Sequence, residues 1–353
     1  MKRIDNLDWM RALAIIMVLI HHAAQWVPGK PQWLSALTGQ GAHGVGLFFG
    51  LSGFLIGSLF FYEWKNNGHV EIKHFYLRRL TRTLPPYYIM LIVAYGAVWY
   101  MRGEPFDWGY LIFAQNYYEK VPFFLVSWSL AVEEHFYLIL PVLLTLLFRL
   151  VPSKKTRLTA ILGFSFIPLI FRSVDPMIGD PFGYSSTATH RNFDFMAFGV
   201  TGAYLYHYFP QLLPAVKKWM LPLIIAVFTF LLILPWWPSA LEVSLGKFGL
   251  ALGFSAICTV STHSKDLPGA SHWLTKMIAR TSYATYLTHA LVLHVIVLFQ
   301  KHVIGLPSLV SFSVMMAASI IAGWAFYEVF ERPIMRWRDR ATRRSKETKP
   351  STE

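Results

Sequence analysis

The chain has 353 residues, of which 55% are hydrophobic and 14% charged, with a mean hydropathy of +0.42 and a formal net charge of +13. That balance excludes a soluble globule and describes a polytopic membrane protein, its length taken up by one helical bundle. The lone Cys258 excludes an internal disulfide and any multi-cysteine metal site, and no metal is expected.

The first apolar stretch, Asp5 to Val27, reads as a membrane-spanning helix, yet it carries Asp8, Arg11, His21 and His22. A central Arg or Asp in a span costs roughly 3 kcal/mol or more, so such groups are rare and usually functional. Asp8 and Arg11 stand at i and i+3, close enough to pair on one face. His22 follows Arg11 by about three turns, ~16 Å along the axis, which puts the three on one stripe. His21 points ~100° away. With the apolar run broken by Asp8 and Arg11 and no convincing cleavage site, this is a poor signal peptide and is expected as a retained first span.

Apolar segments long enough to span follow near 44–62, 84–101, 127–150, 157–172, 192–209, 219–237, 245–262, 282–300 and 307–330. With 9–27 they predict ten spans in an all-α bundle. A shorter apolar piece, Tyr110 to Tyr118, reads as interfacial or re-entrant. Of the 32 Lys and Arg, 25 fall on the N-terminal side of the membrane and 7 opposite, so the positive-inside rule predicts that both termini are cytoplasmic. The charge is therefore mostly topological, and nucleic acid is not an expected partner. Residues 1–336 are expected to form the membrane domain, and 337–353 a basic, disordered, lipid-facing tail. There is no internal repeat and no Walker or GxGxxG phosphate loop.

Topology then says which polar groups can meet. The fourth span opens with WSLAVEEHFYLILP, so Glu133 and Glu134 lie about as far inside the outer boundary as His22 does. A histidine beside a carboxylate is the arrangement a general base needs, and one of the two glutamates is expected to orient His22. At the cytoplasmic edge, HFYLRRLTRTLPPYY places Arg79 and Arg82 one turn apart with Arg78 alongside. Arginine forks bind phosphate in bidentate fashion, and ordinary positive-inside anchoring is the alternative. Pro85 and Pro86 are expected in the opening turn of that third span. Gly44, Gly46, Gly50, Ser52, Gly53 and Gly57 give the second span a small-residue face suited to close packing. Arg191 with Asp194, and His289, read as polar anchors unless they join the central site.

In order, LDWMRALAIIMVLIHH, GVGLFFGLSGFLIG, RRLTRTLPPYY, WSLAVEEHFYLILP, SYATYLTHA and FYEVFERPIMR resemble the signature segments of the integral-membrane acyltransferase type 3 family. These are bacterial enzymes that O-acylate cell-surface polysaccharides and related acceptors. The resemblance runs from about Ile4 to Arg336. It implies acyl-CoA as donor, an essential Arg11 and His22, and donor binding at the RxxR pair Arg79 and Arg82. It further implies a carbohydrate or lipid-linked glycan acceptor and a place in the bacterial inner membrane among its lipids. One departure is Gly46, where members often carry Asp. No SGNH-type soluble domain is expected after the bundle. The resulting expectation is an O-acyltransferase with acetyl as the transferred group and with His22, Glu133, Glu134 and Arg11 catalytic. Arg78, Arg79 and Arg82 hold the donor, with Asp8, Ser52, Arg191 and His289 in support. Direct transfer and an acyl-His22 intermediate both remain open. The other functional class is a transporter of an acyl compound or lipid-linked sugar, with the buried charges lining a path.

The charge asymmetry yields a direct test of topology. Ser345→Cys in the tail should stay unlabelled by a membrane-impermeant thiol reagent in intact cells and become labelled after permeabilisation. Labelling in intact cells would invert the orientation.

Overall fold

The computed structural model describes residues 4–27, 32–118, 120–175, 186–238, 241–264, 266–303 and 305–347. Among them every regular element is helical. In chain order they are α1 (Asp5–Gln25), α2 (Gln32–Gly39), α3 (Gly44–Asn67), α4 (Ile72–Arg102), α5 (Ser127–Leu150), α6 (Lys154–Ser165) and α7 (Ile167–Val174). Then follow α8 (Asp194–Tyr208), α9 (Leu213–Val216), α10 (Met220–Ile233), α11 (Lys247–Ser261), α12 (Trp273–His302), α13 (Ser308–Phe326) and α14 (Arg332–Glu347).

Eight stretches among the described residues are long and apolar enough to cross a membrane, where ten were expected. The two that fall short are α8 and α10. The α8 helix is 15 residues, and Met220–Trp236 is a shorter apolar helix closed by a 3₁₀ turn at Leu234–Trp236 that contains Pro235. The protein is a multi-pass membrane protein. The tail also differs from expectation. A π turn at Tyr327–Glu331 joins α13 to α14, and helix continues to Glu347, with residues 348–353 outside the described set.

The small-residue face of α3 seats it against α8. A side chain on Gly53 would overlap the backbone of Met196, and one on Gly199 would overlap the backbone of Gly50. Backbones therefore touch here, which is how helices gain packing where no hydrophobic drive separates them from lipid. Beside this seam, Phe54, Phe60, Phe61, Phe148 and Tyr204 are almost fully buried.

Two local features place the site. First, α4 starts at Ile72, so Pro85 and Pro86 stand inside it rather than in its first turn. Lacking N–H groups, they leave the carbonyls of Thr81 and Arg82 without their helical donors. On the same turn the Tyr283 hydroxyl donates to the Thr83 carbonyl at 2.8 Å. Second, the expected re-entrant piece forms two 3₁₀ turns, Trp108–Ile112 and Ala114–Tyr117, packed over the start of α5. The Gln115 amide donates to the Ser127 hydroxyl at 3.1 Å, and Ser127 is fully buried. The α5 helix thus begins inside the protein.

Because the α3–α8 seam has no room for a side chain, Gly53→Leu should destabilise the bundle by about 1–3 kcal/mol through overpacking. A lowered midpoint of thermal unfolding in detergent would register this, with Gly96→Leu, at a position with open space, as the control.

Candidate active site

Three helices bring their polar groups to one point in the apolar interior. The Arg79 guanidinium of α4 donates to Glu133 Oε2 of α5 at 3.3 Å. The Ser52 hydroxyl of α3 donates to the other carboxylate oxygen at 3.0 Å. The Arg79 guanidinium also lies over the Tyr137 ring, 3.8 Å from its centroid, a cation–π contact that recovers part of its lost hydration. The side chains of Arg79 and Glu133 are 21% and 12% exposed. The sequence led to an exposed pair of arginines at the mouth of the third span and to glutamates near the outer end of the fourth. The buried start of α5 and the reach of the arginine side chain explain why the two meet instead.

These groups wall a cavity of about 270 Å³. Arg11, Arg78, Arg79, Arg82 and Arg338 contribute its positive side, with Glu133 and Ser52 among them. Phe48, Phe49, Leu55, Ile56 and Leu59 form an apolar wall. Arg79 commits one N–H to Glu133, and its buried Nε has no hydrogen-bond partner among the described residues. Arg78 pairs with Glu63 at 3.2 Å, and its Nε is likewise buried and unpartnered. Arg11 pairs with Asp8 at 3.2 Å, as the i, i+3 spacing implied. Arg338, which sequence reasoning had assigned to a lipid-facing tail, donates to the Arg78 carbonyl at 3.3 Å and lines the cavity. No local signal singles it out within its basic run.

His22 is not joined to a carboxylate. Its Nδ1 lies 2.9 Å from Nε2 of His289, with the two rings stacked at 5.0 Å. Glu133 is engaged with Arg79 and Ser52, and Glu134 lies near Arg79 and Thr83 on the α4 side. The expected pairing therefore fails for both glutamates. His289, fully buried, faces the carbonyls of Tyr286 and Thr285 through Nδ1, at 2.7 and 3.2 Å. A carbonyl only accepts, so His289 carries its proton on Nδ1. An imidazolium enclosed by carbonyls and apolar groups is costly, so the ring is neutral and its Nε2 is an acceptor. His22 consequently donates from Nδ1 and keeps a lone pair on Nε2. His21 is tied elsewhere, to the Thr38 carbonyl at 3.3 Å and the Gln25 amide at 2.9 Å.

The turn from Tyr286 to His289 connects the two regions. The Tyr286 ring lines the arginine cavity while its hydroxyl lies 2.7 Å from Ser129, and the carbonyl of the same residue holds His289. Arg191 does not join this site. It sits in the Thr189–Arg191 turn and pairs with Asp175 at 2.7 Å, while Asp194 pairs with Arg172 at 2.6 Å. At Gly46 a side chain would meet the Phe195 ring at 2.5 Å, so this packing leaves no space for the acidic residue that the resemblance leads one to expect there.

With this architecture in place, comparison with known proteins defines the class. A model of the family described as "Acyltransferase domain" matches residues 4–328, and the chain belongs to that acyltransferase family. It is 29% identical over 192 residues to a peptidoglycan O-acetyltransferase, OatA, of Listeria monocytogenes, covering 49% of this chain and 29% of the relative. It is 33% identical over 164 residues to a putative O-acetyltransferase of Staphylococcus aureus strain COL, covering 42% and 26%. An O-acetyltransferase OatA of S. aureus is 30% identical over 167 residues, covering 41% and 25%. The chain thus spans less than a third of the length of these relatives. No solved structure matches.

The Glu133–Arg79 pair makes a stability prediction. Glu133→Ala strips a mostly buried cation of its partner and should destabilise the protein by about 1.5–3 kcal/mol. Adding Arg79→Leu should return part of that loss, and strict additivity in thermal unfolding would show that the two do not interact.

Proposed function

We propose that the protein is a membrane-embedded O-acetyltransferase that takes an acetyl group from cytoplasmic acyl-CoA and delivers it to a hydroxyl of a cell-surface glycan or lipid-linked precursor. The observation that carries this reading is the cluster of guanidiniums around one cavity, with buried N–H groups on Arg78 and Arg79 that make no hydrogen bond among the described residues. A polyphosphate satisfies such donors in bidentate fashion. The apolar wall suits the pantetheine arm, since ligand pockets combine an apolar lining with a few placed polar groups. Relatives named as O-acetyltransferases, one of them acting on peptidoglycan, support acetyl as the group and a glycan as the acceptor. The bacterial inner membrane is the compartment in which such a donor and acceptor face each other.

His22 is the general base of this reading. Its Nε2 lone pair takes the proton of the acceptor hydroxyl as the oxygen attacks the thioester carbonyl. The C–S bond then breaks and sulfur leaves as thiolate. His289 fixes the tautomer that makes this possible, the role a carboxylate plays for many catalytic histidines. Arg11 borders the donor cavity and is held by Asp8.

In purified protein, Arg79→Ala or Arg82→Ala should raise the KM for acetyl-CoA by the equivalent of about 1.5–3 kcal/mol, with Lys a partial rescue. His22→Ala should lower kcat by about 10²–10⁴-fold, whereas His21→Ala keeps substantial turnover. A wild-type protein that neither binds coenzyme A nor transfers acetyl, but moves solute across liposomes, would make this a transporter.

A further inference from the structure

A second cavity, of about 380 Å³, opens beside the first and shares Arg11, Arg82 and Leu55 with it. The start of α1 (Ile4, Leu7, Asp8) and Arg280, Tyr327 and Glu331 are among the residues that complete its wall. Glu331 is the unusual member. It is 1% exposed, and neither of its carboxylate oxygens has a hydrogen-bond partner among the described residues. Burying a carboxylate without donors is costly, so a native orphan of this kind calls for a ligand or a strained role.

Local structure explains how Glu331 reaches that position. The π turn Tyr327–Glu331 inserts an extra residue's worth of backbone between α13 and α14, and such turns recur at functional sites. Within it, Glu328 pairs with Arg332 one turn on. Glu331 is left out of that pair. Arg82 also lines this cavity and forms no ion pair among the described residues. Arg82 and Glu331 thus face the same space with no ion pair between them. The ligand that satisfies both carries an anionic group for the arginine and N–H or O–H donors for the glutamate.

We infer that this second cavity holds the nucleotide of the donor, with Arg82 on a phosphate and Glu331 accepting from the adenine amine or a ribose hydroxyl. The inference rests on the acyl-CoA reading of the first cavity and adds what that reading lacks. It separates the part of the donor that is recognised from the pantetheine arm that is delivered. Because Arg82 borders both spaces, it marks where the phosphates pass from one to the other.

The test compares two donors, acetyl-CoA and S-acetylpantetheine, the second lacking the nucleotide. Wild-type protein should prefer acetyl-CoA in kcat/KM, and adenosine 3′,5′-bisphosphate should compete with acetyl-CoA. Glu331→Ala should cut the preference ratio by about tenfold or more, the scale of losing hydrogen bonds to a charged group, with the change in KM. Glu331→Gln, which keeps the volume and one acceptor oxygen, should retain an intermediate ratio. Direct binding of adenosine 3′,5′-bisphosphate to wild type and Glu331→Gln reads the same site without turnover. Equal loss with both donors, or wild-type protein with no donor preference and no bisphosphate binding, would overturn the nucleotide assignment while leaving acyl transfer intact. Wild-type protein that uses neither thioester would overturn the donor reading itself, and this inference with it.

Discussion

The contact between Arg79 and Glu133 is the constraint on which the centre of this bundle depends. A guanidinium far from water is tolerated only when it is paired and hydrogen-bonded, and the cost of leaving either partner alone exceeds what their attraction returns. Here the pair is completed from three helices: Ser52 on α3, Arg79 on α4, and Glu133 with Tyr137 on α5. Those helices must therefore converge at this level, and the arginine cavity is the space their convergence encloses. Arg79 spends only part of its donor capacity on protein. What remains faces inward.

A second polar line runs along α1 and α12. The α1 helix carries Asp8 and Arg11 near its start and His22 near its end. The α12 helix meets that start through Lys276, which pairs with Asp5 at 2.9 Å, and meets the end through His289. The same two helices thus run from the arginine cavity to the His22–His289 pair. Tyr286 is the residue common to both, through its ring on one side and its carbonyl on the other.

Much of this was legible in the chain. Apolar segments separated by charge clusters give a multi-pass helical bundle, and the small residues of α3 announce the close approach that the overlap at Gly53 confirms. The Asp8–Arg11 pair follows from helical spacing alone. The partner of His22 did not follow, because depth was counted from the ends of apolar segments. That count assumes every helix starts at the membrane surface. The α5 helix starts under the 3₁₀ turns of residues 108–117, and α4 extends past its prolines, so Glu133 meets Arg79 instead of His22. His289 was visible only as one more histidine in an apolar helix, since tertiary pairing between distant segments leaves no local pattern. Arg338 and Glu331 were hidden for a related reason: a basic run and an amphipathic end look alike whether they face lipid or fold back onto a cavity.

Buried charge alone does not distinguish a candidate site from a clamp, and this protein contains buried charge in both kinds of setting. Arg172 and Asp194 form the most enclosed ion pair among the described residues, with side chains 1% and 0% exposed and a separation of 2.6 Å. The Arg191 carbonyl accepts a second N–H of Arg172, and neither residue borders the arginine cavity. These contacts tie α7 to α8; Arg172 Nε and Asp194 Oδ1 are also buried without a partner among the described residues, but they line neither cavity described above. Arg79, Arg82 and Glu331 differ in lining open volume, with Arg79 Nε and both Glu331 oxygens lacking partners among the described residues. A fold that tolerates such incompleteness in an apolar setting bears a stability cost for it. On the proposed reading, a donor carrying both phosphate and hydrogen-bond donors would remove that cost on binding, so its affinity and the strain of the empty bundle would have the same physical origin.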